Sequence, residues 1–72
     1  MKVYEVYANG FCCGAHWITA AKSSQQALQL AKDYPDNAVK FSENHFGEVV
    51  LLKKLTYEGD DAHVIAEYSW TE

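Results

Sequence analysis

Only one segment of this chain repeats at helical spacing. Ala27, Leu30, Ala31 and Tyr34 fall at i, i+3, i+4 and i+7, with Leu28 beside them, while the runs before and after alternate at every second residue. One helical stripe among several alternating runs predicts an α+β fold: an antiparallel sheet of four to five strands with one helix packed on one face, in the order ββαβ(β)β. With 72 residues, the sequence reads as a single small domain spanning 1–72. A chain of that size buries only about 60% of the surface its unfolded form exposes, so its core is small.

The first run, Lys2 to Ala8, places Tyr4, Val6 and Ala8 on one face and Val3, Glu5 and Tyr7 on the other. Asn9-Gly10 then predicts a two-residue hairpin turn, because both residues adopt positive φ at little steric cost. The returning strand, Phe11 to about Ala20, divides Phe11, Cys13, Ala15, Trp17 and Thr19 from Cys12, Gly14, His16, Ile18 and Ala20. Ser23 is the expected N-cap of a helix from Ser24 to about Asp33, with Gln26 three residues on to complete a capping box and Pro35 to stop it. Ala38 to Ser42 reads as a short strand. Glu48 to Tyr57 is a longer one, Glu58-Gly59-Asp60-Asp61 a turn, and Ala62 to Trp70 the closing strand of a terminal hairpin. In that last strand Ala62, Val64, Ala66, Tyr68 and Trp70 share a face opposite His63, Ile65, Glu67 and Ser69.

Charge excludes more than it proposes. Six lysines and no arginine stand against ten carboxylates, a net charge of -4. Arginine supplies the bidentate fork that reads guanine and clamps phosphate, so its absence argues against direct nucleic-acid recognition. Residues 58 to 72 carry Glu58, Asp60, Asp61, Glu67 and Glu72 without a lysine, an end suited to a basic partner surface or simply to a solvated turn and strand face. No apolar run approaches the roughly 18 residues of a membrane span, and residues 1 to 20 lack a signal-peptide pattern, so the expected compartment is the cytoplasm and no membrane partner is expected.

Ten of the 72 residues are aromatic, five of them tyrosines. Alternation sends some to each side of the sheet, and one helix lined by Ala27 and Ala31 covers one side only. Tyrosine and tryptophan combine large apolar area with a polar tip and anchor many protein interfaces. The candidate partner-binding residues are therefore Tyr7, Trp17, Tyr57 and Trp70, with Glu58, Asp60 and Asp61 as the charged contribution. A homodimer is the alternative occupant of such a surface, pairing through an edge strand such as Lys2 to Ala8.

A second class of function centres on Cys12, Cys13 and His16. Zinc needs four ligands, usually in C-x2-C or H-x3-H pairs, and adjacent cysteines fit neither spacing. In an extended strand Cys12 and His16 lie about 13 Å apart, so one ion reaches both only if the chain bends at Gly14. Two reduced thiols, one buried as a small hydrophobe, are the simpler reading. With no phosphate loop, nucleophile elbow or carboxylate pair facing a pocket, the expectation is a protein that is not an enzyme, with no cofactor and no metal.

The order strand, strand, then Ile18-Thr19-Ala20-Ala21-Lys22-Ser23-Ser24-Gln25-Gln26-Ala27-Leu28-Gln29-Leu30-Ala31 into a helix, then a closing hairpin, resembles small α+β proteins of phages and mobile elements, some anti-CRISPR inhibitors among them. That resemblance implies a non-catalytic surface that blocks a host defence complex, in a bacterium or a phage-infected cell. It also implies acidic residues set where the target would bind, here the Glu58 to Glu72 end.

Overall fold

The computed structural model describes residues 1–9, 13–34 and 45–71, the side chains of 13 and 69–71 excepted. Among the described residues, four strands and one helix follow in the order β1 (Lys2–Asn9), β2 (Cys13–Ala21), α1 (Ser24–Lys32), β3 (Phe46–Thr56) and β4 (His63–Thr71). The strands form one antiparallel sheet ordered β3-β1-β2-β4. The α+β class and the single helix on an antiparallel sheet are as expected. The fifth strand, Ala38 to Ser42, and Pro35 lie outside the described residues.

The sheet order corrects two expectations. β1 is not an edge; it is flanked by β3 and β2. β3 and β4 do not form a hairpin, because they occupy opposite edges. Crossing three strand spacings, about 14 Å, is within reach of a six-residue connection extending to about 20 Å. The start of that connection is tied to the end of the β1–β3 ladder: the Met1 nitrogen donates to the Tyr57 carbonyl at 2.6 Å, and the Tyr57 amide donates to the Met1 carbonyl at 2.9 Å.

A third correction concerns the first turn. Asn9 ends β1 paired with Gly14, so four residues separate the paired positions instead of two. No described non-glycine residue has positive φ, Asn9 included. The register is displaced by four residues from that of a two-residue turn centred on Asn9-Gly10. Side chains alternate with period two, so an even displacement leaves every residue on its expected face. Tyr4, Val6 and Ala8 accordingly stand opposite Thr19, Trp17 and Ala15.

That face carries the core. Tyr4, Val6, Ala8, Ala15, Trp17 and Ala21 pack with Ala27 and Ala31 of α1, while Leu28, Leu30, Tyr34, Phe46, Val49 and Val64 close around them. Alanines on both sides let the helix sit close to the sheet, and the Trp17 indole, fully buried, fills the interior. The Phe46 ring stacks on it at 5.5 Å, and the Lys32 ammonium lies 5.9 Å from the Phe46 centroid. The buried Thr19 hydroxyl donates to the Tyr4 carbonyl at 3.3 Å.

Helix capping follows the sequence with one shift. The Ser23 hydroxyl accepts from the Gln26 amide at 3.1 Å, but the Gln26 side chain reaches back to the Lys22 amide at 2.7 Å, one residue before the cap. At the other end Asp33 caps the helix, its amide donating to the Gln29 carbonyl at 3.0 Å.

Candidate functional site

No described helix or strand packs on the second face of the sheet, which is closed only at the end where Val3 and Ala20 are buried. In register there, Tyr7 of β1 stands opposite His16 of β2, and His16 opposite Tyr68 of β4. The three rings form a row across three strands: Tyr7 stacks on His16 at 5.6 Å and 19°, and His16 meets Tyr68 at 4.9 Å and 43°. Tyr68 is 55% exposed. Direct cross-strand neighbours bring side chains within such reach without any special loop.

Glu5 lies one row further along the same face, opposite Ile18 and diagonal to His16. Its two oxygens are divided between the rings: the Tyr7 hydroxyl donates to Oε1, and His16 Nδ1 lies 2.6 Å from Oε2. An ionised carboxylate only accepts, so Nδ1 carries the proton in this contact. The His16 and Glu5 side chains are 27% and 16% exposed, which places the bond at a half-dry surface. The Glu5 acceptor holds the Tyr7 phenol above its usual pKa of 10.0, with burial and the charges of Glu5 and Glu48 acting in the same sense. The result is a fixed row of aromatic rings backed by a carboxylate, a surface that offers apolar area and hydrogen bonds with few rotamers left to lose on binding.

A bulge sets which β4 side chains reach this face. Thr19 pairs with Val64 and Ile18 with Ala66, leaving Ile65 as an extra residue. The predicted alternation therefore breaks there: Val64 joins the core, and Ala66 and Tyr68 fall on the uncovered face. Glu67, expected to decorate an exposed strand face, turns toward the core instead. It stands opposite Trp17 and accepts the buried indole N–H at 2.8 Å.

Of the predicted contact residues, Tyr7 belongs to the ring row. Trp17 does not, being core. Tyr57 is half-buried in the β3–β4 connection, its ring edge-on to His63 at 4.9 Å, at the end of the sheet where Val3 and Ala20 are also buried. Glu58, Asp60 and Asp61 are all exposed in the same connection, and His63 Nδ1 donates to the Asp61 carbonyl at 2.8 Å. Trp70 pairs with Gly14 through the backbone, and its side chain lies outside the description, as do Cys12 and the Cys13 side chain. Among the described residues no three His, Cys, Asp or Glu side chains gather around a metal-sized site.

Sequence reading passed over Glu5 and Tyr68 and took His16 only as a ligand for metal or thiol chemistry. The alternation already put Glu5 and Tyr7 on one face of the first strand and His16 on one face of the second. What was missing was the register that makes Tyr7, His16 and Tyr68 neighbours, and the Ile65 bulge that sets the face of Tyr68. No protein family, curated protein or solved structure matches this chain.

Proposed function

We propose that this protein is a non-catalytic binding module that docks on a protein partner through the helix-free face of its sheet. The observation that carries this reading is the row Tyr7–His16–Tyr68, rigidly backed by Glu5 and left uncovered by every described element. Exposed carboxylates at Glu58, Asp60 and Asp61 supply the charge that draws a basic surface toward it. Their position between opposite edges of the sheet replaces the acidic hairpin with an acidic strap. A basic groove of a host defence complex, where nucleic acid would otherwise lie, is the narrower form of the same proposal, supported by those three carboxylates.

Affinity capture from the native host, with wild-type protein and Tyr68→Ala side by side, tests the reading. A partner held by the wild type and lost by Tyr68→Ala supports it; a partner held equally by both removes the ring row from recognition. Asp60→Lys with Asp61→Lys should weaken the same association and flatten its salt dependence.

A further inference from the structure

Beyond Leu51, β3 departs from its ladder. Tyr4 pairs with Leu51 and Lys2 with Thr56, so Leu52, Lys53, Lys54 and Leu55 stand opposite Val3, four residues where a regular ladder holds one. The surplus chain has no place in the pairing, and β3 has no strand on its other side to take it up.

This bulge gathers apolar area and positive charge. Leu51 and Leu55 are 37% and 53% exposed, and apolar side chains grouped at a surface mark contact sites. With Leu52, Lys53 and Lys54 they line a shallow groove of about 440 Å³. Lys53 and Lys54 are exposed, and among the described residues no ion pair engages either. Lys2, exposed opposite Thr56 where the ladder resumes, brings a third ammonium to the same end of β3. Between Glu48 and Glu58 the chain carries no carboxylate, although its net charge is -4.

We propose that this groove is a second docking site, taking an acidic segment of a protein partner: an apolar side chain seated against Leu51, Leu52 and Leu55, with flanking carboxylates on Lys53 and Lys54. Charge complementarity selects the occupant. A peptide is narrow enough to meet the lysines alone. An anionic bilayer is broader, and Glu58, Asp60 and Asp61, exposed within six residues of Leu55, oppose its approach. The site stands apart from the Tyr7–His16–Tyr68 row and does not depend on it.

Nuclear magnetic resonance of the full chain, titrated with a short synthetic peptide of alternating leucine and glutamate, tests the proposal. Shifts should centre on residues 51–55, and a peptide with lysine in place of glutamate should leave them unmoved. The double change Lys53→Glu with Lys54→Glu should weaken binding about tenfold or more, and so should Leu55→Ser, whereas Tyr68→Ala should bind as the wild type does. All four positions are exposed, and far-ultraviolet circular dichroism of each variant verifies its fold. An absence of shifts at millimolar peptide overturns the proposal, as does binding indifferent to the charge reversal, equal binding of the lysine peptide, or binding lost in Tyr68→Ala. So do shifts of the same leucines produced by phosphatidylserine vesicles and not by the peptide, which assign the groove to a lipid surface. Shifts produced by concentrating the protein alone assign it to a second copy and overturn the proposal equally.

Discussion

The two faces of this sheet are built from the same strands and put their aromatic residues to opposite uses. On the helix side Trp17 is fully buried, stacked on Phe46 and hydrogen-bonded to Glu67. On the other, Tyr7, His16 and Tyr68 lie in a row, with Tyr68 exposed and the Glu5 carboxylate bonded to Tyr7 and His16. Removing water from an indole stabilises the fold, whereas rings left at a wet surface stabilise it little and retain their area for a partner. Aromatic content alone therefore does not say which rings are buried and which stay at the surface; register does.

The two faces should differ most at Trp17. Trp17→Ala should cost about 3–5 kcal/mol in denaturant unfolding, much of the stability available to a domain this small. Tyr68→Ala should cost well under about 1 kcal/mol, as exposed substitutions usually do. Equal losses would erase the distinction between the faces. Glu67→Leu comes next, because it removes an acceptor from a buried indole N–H; a loss of about 1–3 kcal/mol is expected in the same assay, against almost none if Glu67 were a surface charge.

Smaller effects sharpen the picture at the strap and in the ring row. Gly59 has φ of 143°, and a Cβ there would stand 3.2 Å from the Tyr57 ring. Gly59→Ala should therefore lower the thermal midpoint by the equivalent of about 1 kcal/mol. An unchanged midpoint would mean that the strap adapts freely. In the ring row, Glu5 raises the Tyr7 pKa, so the native cluster favours the neutral phenol. Its stabilising effect is whole below about pH 10 and fades as pH climbs through the raised native value. Alkaline absorbance titration of wild type against Tyr7→Phe isolates this phenol. Glu5→Gln should move it down toward its ordinary value, and no movement would place the cause elsewhere.

Much of this was legible in the residues. Ser23 and the Ala27, Leu30, Ala31, Tyr34 stripe marked the helix, and period-two alternation grouped Tyr4, Val6 and Ala8 on one face of the first strand and Ala15, Trp17 and Thr19 on one face of the second. Even the mistaken Asn9-Gly10 register did no harm to that assignment, since an even displacement preserves faces. Pairing between distant strands was not legible. Glu58-Gly59-Asp60-Asp61 has the composition of a hairpin turn, yet β3 and β4 find better partners in β1 and β2, and the segment becomes a strap across the sheet end. The bulge at Ile65 carries no glycine or proline to announce it. Its consequences, Glu67 turned to Trp17 and Tyr68 brought beside His16, are tertiary facts that local pattern does not encode.

The central claim is that stability resides on the helix face and recognition on the other. The most direct measurement pairs urea unfolding with partner capture on the double variant Tyr7→Ala, Tyr68→Ala. Unfolding should stay within about 1 kcal/mol of wild type, and capture should weaken at least tenfold. A variant that unfolds as readily as Trp17→Ala, or that captures the partner as the wild type does, would contradict it.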